Sequence, residues 1–183
     1  MIVYGAKELA DAMRTVRKNT VQVAEDIPEE QYDFVAAAGT RSVRSQLAHI
    51  AWGPALYYDV HRDKHLSTFQ GYDFGALMAS AAAYEGKART KAELIALLKS
   101  EGEAFAAWVE GLTPAFLNET FTDGMGQHPK TRFENLLGAK EHEMHHRAQL
   151  MLLQRMVGVV PHLTRERQAR AAARAAAAAA ARQ

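Results

Sequence analysis

The chain has 183 residues, enough for one domain with a full core, and its 48% apolar and 23% charged residues are ordinary globular values. It has no cysteine, which excludes disulfides and thiolate metal ligands and leaves any thiol chemistry to a thiol carried by a substrate. The net charge of +1 is uneven: from Arg165 onward there are five arginines and one glutamate, which leaves 17 basic against 20 acidic residues in a mildly acidic body.

The opening "MIVYGAKELADAM" lacks the basic start and long apolar run of a signal peptide, and no apolar stretch outside the tail approaches a membrane span. The cytoplasm is the expected compartment, with no membrane partner. Leu9, Met13, Val16, Thr20 and Val23 recur every three or four residues and predict a first helix over residues 5–25. "IPEEQY" starts a new turn at Pro28, with acids behind it. After the cap-like "GTRS", a second helix is predicted over 41–62, kinked at Pro54, which removes one backbone bond. "FGALMASAAAYEG" reads as a short helix.

The third helix opens with the capping box Thr90-x-x-Glu93, and the fourth with Thr131-x-x-Glu134, running to Met156 with Gly158 as its stop. Between them "TDGMGQHPKT" has the residues of a hairpin or irregular loop. Four long helices make an all-α bundle over residues 1–160, followed by an Ala/Arg-rich C-terminal extension over 161–183. Alanine is the best helix former, so the extension is predicted to be helical with little packing support. It reads either as a basic arm for nucleic acid or lipid, or as a solvated or dimer-packing helix. The lack of interleaved aromatics favours the second reading, and the acidic body counts against nucleic acid.

"KEHEMHHRAQL", Lys140 to Leu150, is the densest stretch of chemistry in the chain. On a helix, His142 and His146 lie about 40° apart on one face and one turn apart, so both imidazoles can reach one ion. His145 points about 100° from His146 and is expected beside the site or at the surface. The stripe through His142 includes Gly138 and Ala139, and the missing side-chain volume suggests room for a ligand. Gln149, about 60° from His146, is placed to orient that ligand or to satisfy a loop.

His49, among Leu47, Ile50, Trp52 and Leu56 on the second helix, is the best third ligand. Three neutral imidazoles would hold a divalent metal and leave positions open, the pattern of catalytic sites. His61 and His65 share the i, i+4 spacing, but His61 is about 18 Å along the helix from His49, and a solvated helix end explains the pair. His128 and His162 follow loop signals and suggest no role.

Read literally, His142-Glu143-Met144-His145-His146 is HExxH, the zinc peptidase signature with Glu143 as general base, and Glu166 stands where one peptidase class places its third ligand. Context opposes it. Glu166 lies between two arginines beyond the helix stop, Gln149 and Leu152 break the metzincin extension, and no sheet is expected to hold an extended peptide. Glu143 is then a solvated helix charge or a group supporting the ligands.

"HEMHHRAQL" resembles the HxxHHRGQ-type helix-four motif of the DinB/YfiT-like superfamily, and "AEDIPEEQYDF…GTRSVRSQLAHIA" is similar to the segment leading to that family's helix-two histidine. The resemblance covers Met1 to about Val160, with Ala148 where glycine is usual. It implies an up-down-down-up four-helix bundle, a homodimer, and a metal site at the matching positions His49, His142 and His146. The metals it implies are zinc or nickel first, then iron or manganese. Characterised relatives include transferases that add low-molecular-weight thiols to electrophiles and thiol-dependent isomerases.

The expected function is therefore a metal-dependent enzyme acting on a small-molecule substrate by activating a thiol or water, a transferase or a hydrolase. A non-catalytic metal-binding or stress-related bundle is the alternative, and a peptidase a remote one.

Overall fold

The computed structural model describes residues 4–182. In chain order its helices are α1 (Ala6–Asp26), α2 (Val43–Trp52), α3 (Pro54–Tyr57), α4 (Phe74–Glu85), α5 (Lys91–Glu110), α6 (Pro114–Leu117), α7 (Arg132–Met156) and α8 (His162–Ala180). The starts follow from side chains that satisfy the first backbone N–H groups. Ser42 Oγ accepts from Ser45 N at 3.2 Å, and both sequence-predicted capping boxes form, Thr90 with Glu93 and Thr131 with Glu134. The 41–62 helix is one path in three pieces. Pro54 begins α3 directly after Gly53, and Tyr58–Asp63 is a π-helical turn.

Residue pairs fix the directions. Arg14 reaches Glu103 and Glu110 while Glu25 meets Lys99, so α1 and α5 are antiparallel. Arg17 meets Glu143 and Asp26 meets Gln154, so α1 and α7 run parallel. Gln46 lies at Gln149 and His61 at Asn135, so α2 runs against α7. Leu47 shares a core with Leu94 and Leu98, and Tyr58 packs on Phe105 and Trp108, which sets the α2–α3 path parallel to α5. The result is an up-down-down-up four-helix bundle. Two parallel neighbours need a long crossover, and residues 64–90 supply it, carrying α4 across α2.

The interior divides in two. Leu47, Ile50, Leu94, Leu98 and Leu150 fill one half, and Leu9, Met13, Phe105, Val109 and Leu136 the other. Each fully buried leucine contributes about 1.5–3 kcal/mol, ample to fix helices whose register the site requires. The "TDGMGQHPKT" segment is a hairpin: strands β1 (Thr120–Phe121) and β2 (Lys130–Thr131) pair antiparallel. At the other end, the first turn of α8 docks on the body. His162 is buried with Nε2 at 3.2 Å from Asn19 Oδ1, and Arg165 pairs with Asp26 at 2.7 Å. The rest of α8 is exposed. Among the described residues no helix is long and apolar enough to cross a membrane.

Candidate metal centre

The structure brings His49 of α2 together with His142 and His146 of α7. One ring nitrogen from each lies within 4.8 Å of the others. His142 Nε2 is 3.1 Å from His49 Nε2 and 3.1 Å from His146 Nε2. Nitrogens bonded to a zinc-sized ion at about 2.0–2.1 Å stand roughly 2.9–3.4 Å apart for angles between right and tetrahedral, and both separations fall in that range.

The far side of two rings is tethered. His49 Nδ1 faces Glu85 Oε1 at 2.8 Å, so the proton sits on Nδ1 and the Nε2 lone pair points at the centre. Glu85 comes from α4 and is itself held by Arg41 at 2.8 Å and by the Ser45 hydroxyl, which donates at 2.9 Å. His146 Nδ1 lies 2.9 Å from Gln149 Oε1, and with its proton on that contact the Nε2 lone pair again turns inward; the Gln46 amide nitrogen packs beside the same ring nitrogen and donates to Gln149 Oε1 at 3.1 Å. His142 Nε2 can donate to only one of its two neighbours. Lone pairs crowded onto one point are what a cation resolves, and all three groups are the neutral donors a divalent ion needs.

Protonation follows the same lines. Burial is the first cause of the lowered pKa of His49, His142 and His146, and each is lowered further by nearby positive charge. His142, hemmed in by the other imidazoles, is pushed down to about 4. At neutral pH the rings are uncharged and ready to bind.

Other candidate residues divide. Gln149 lies beside the centre and holds His146, while its Nε2 lies 3.0 Å from the ring of the exposed His145. His145 thus stands outside the triad, one contact removed. Glu143 is not a solvated helix charge. It forms a partly buried ion pair with Arg17 at 2.9 Å and accepts from Thr20 Oγ1 at 2.7 Å, because a step of about 100° along α7 turns it to α1. Gly102 makes room for that arginine, since a Cβ there would stand 2.6 Å from Arg17 Cγ. Glu166 pairs with Arg170 on the exposed tail, so both carboxylates of the peptidase reading are engaged by arginines.

Two further expectations are corrected. The space beside Gly138 belongs to Tyr57, whose hydroxyl would lie 3.0 Å from an added Cβ, whereas Ala139 lines a small cavity together with Gly53 and His142. His61 is not on a solvated helix end. The π-helical turn re-aims it inward, where Nε2 donates to Asn135 Oδ1 at 2.7 Å and Nδ1 accepts from Arg132 at 2.8 Å. His65, with φ +47, stays outside near Glu119.

Sequence reading missed Gln46 and Glu85. Gln46 was within reach, since it precedes His49 by three residues and shares its face. Glu85 offered no such signal, because it is 36 residues from His49 on a crossover helix with no apolar stripe.

Three solved structures share the fold. A DinB-like protein of Bacillus subtilis matches at a TM-score of 0.60 and 23% identity, covering 82% of this chain and 92% of that one. YfiT from Bacillus subtilis, described as a probable metal-dependent hydrolase with an unusual four-helix bundle topology, matches at 0.63 and 18% identity, over 84% and 88%. An uncharacterized protein from Clostridium difficile 630 matches at 0.62 and 14%, over 86% and 99%. No curated protein matches. The family model of the DinB superfamily matches residues 12–150, a span that holds all three converging histidines, and the chain belongs to that superfamily.

Proposed function

We propose that the chain is a metal-dependent enzyme in which His49, His142 and His146 hold one divalent cation, zinc or nickel ahead of iron or manganese, and that it transfers a small-molecule thiol to an electrophile. The observation that carries this reading is the meeting of three Nε2 atoms from two helices, with the outer nitrogens of His49 and His146 tethered to Glu85 and Gln149. A divalent ion on three neutral ligands would lower the pKa of a thiol or water reaching its open side toward neutrality.

The protein's own part is positional. Glu85 fixes the tautomer and plane of His49, Gln149 does so for His146, and burial keeps the three rings unprotonated at neutral pH. The chain has no cysteine, so the thiol is the substrate's own. Hydrolysis, with water in the thiol's place, is the second reading, and the description of YfiT as a probable metal-dependent hydrolase favours it. The same reading includes a homodimer, for which the exposed Phe74 and Met78 of α4 offer an apolar face.

Elemental analysis of metal per chain tests the centre. The wild type should carry close to one equivalent, and His49→Ala, His142→Ala and His146→Ala should each lose it. A wild type that stays metal-free after reconstitution, or a His49→Ala protein that keeps its full metal, would overturn the proposal. On the loaded protein, thiol consumption with an electrophile decides transfer against hydrolysis.

A further inference from the structure

A groove of about 790 Å³ runs beside the centre, between the loop that precedes α2 and the C-terminal half of α7. Its volume is that of a small-molecule site. Two of its lining residues, Gln46 and Gln149, are the ones that touch His146, so whatever occupies the groove lies one side chain from the converging histidines.

The lining is chemically one-sided. Val35 and Leu152 present apolar side chains that are 47% and 59% exposed, and Leu153 continues that wall. The remaining lining is small or neutral polar with one exception. Arg41 is the single charged residue among those that form the groove. It uses Nε and Nη2 on Glu85, at 2.8 and 3.3 Å, which fixes the guanidinium plane, and among the described residues Nη1 has no hydrogen-bond partner. Its side chain remains 39% exposed. Glu85 stands behind Arg41 and Ser45 with its side chain 12% exposed, so the cation is the more accessible member of the pair. A guanidinium held flat by one carboxylate and open on another edge is suited to a second anion.

We propose that this groove is the substrate subsite of the centre, and that it takes a small molecule with an apolar body and a carboxylate-like anionic end, the body against Val35 and Leu152 and the anion on Arg41. Its role as a substrate site rests on the proposed metal-dependent function, but its binding chemistry does not. The selectivity follows from the lining: a cationic end would face Arg41, and a neutral end would forgo its charge-assisted hydrogen bond.

The test uses the full chain stripped of metal, with ligand-observed NMR titrations of 4-phenylbutyrate, 4-phenylbutanol and 4-phenylbutylammonium. The carboxylate should bind saturably and on the order of tenfold more tightly than the alcohol, the ammonium more weakly still. Arg41→Gln should remove most of that preference and Arg41→Lys keep part of it. Leu152→Asp, at a site too exposed to threaten folding, should weaken 4-phenylbutyrate binding with Arg41 intact. Equal affinity for carboxylate and alcohol, no saturable binding, or indifference to both Arg41→Gln and Leu152→Asp would overturn the proposal. Metal content is measured on the same preparations. Arg41-dependent binding by a chain that never loads metal would sink the metal centre and spare the groove, and a loaded chain without that dependence would do the reverse.

Discussion

Two histidine pairs in this chain have the same i, i+4 spacing and opposite fates. His142 and His146 lie within a regular helix of 25 residues, so the spacing becomes geometry and both rings meet His49. His61 and His65 lie where the helix widens into a π turn and ends. His61 turns into the core between Asn135 and Arg132, and His65 leaves with φ +47. Spacing is thus a conditional signal. It holds where the helix continues on both sides and a third ligand stands opposite.

The sharpest way to test that contrast is acid. Burial first, then the Arg132 charge, push His61 down to about 4 from an ordinary 6.5, against the Asn135 hydrogen bond. The folded protein therefore holds His61 neutral where an unfolded chain would protonate it. Its contribution is fully present above about pH 6.5 and is lost as pH falls toward 4, on the order of 3 kcal/mol in all. Urea unfolding of metal-stripped protein at pH 7 and pH 4.5 should show a steeper acid loss in the wild type than in His61→Gln. The other histidines titrate in both proteins, so the difference isolates His61. Equal slopes would return His61 to the solvent-exposed role its sequence context suggested.

Glu85→Gln is the next step down. If the triad is a metal centre, removing the carboxylate that orients His49 should cost about 10–100-fold in metal affinity, near 1.4–2.7 kcal/mol, without abolishing binding. Competition with a coloured chelator measures it. A variant with wild-type affinity would reduce the Glu85–His49 contact to packing between α4 and α2.

Much of this arrangement is legible in the amino-acid sequence. Thr90 with Glu93 and Thr131 with Glu134 mark two helix starts, because a capping box is local chemistry. The DinB-type motif points to His49, and the bundle does bring it to the α7 pair. The rest depends on contacts far apart in sequence. Glu85 reaches His49 through a crossover, His61 turns on a helix irregularity that periodicity does not encode, and Glu143 meets an arginine 126 residues away. The glycine at 138 misleads for a related reason. A small residue announces that something comes close without saying what, and here it is Tyr57.

The smallest effect is expected from the tail, and it separates a docked turn from an undocked helix. His162 is buried against Asn19, and Arg165 pairs with Asp26, whose carboxyl is held below its ordinary pKa. Burial works against that lowering, and the Arg165 hydrogen bond leads the groups that produce it. Beyond Arg165, α8 is exposed and alanine-rich, its helicity a matter of propensity. Removing residues 167–183 should therefore change stability by less than about 0.5 kcal/mol and leave metal content unchanged. Removing residues 161–183 should cost roughly 1–3 kcal/mol, because it strips the cover from the Asn19 and Asp26 region. Thermal unfolding of the two truncations gives the comparison directly. A large loss from the shorter cut would mean that the exposed half of α8 has a partner, and a second copy of the chain would be the first to test by light scattering.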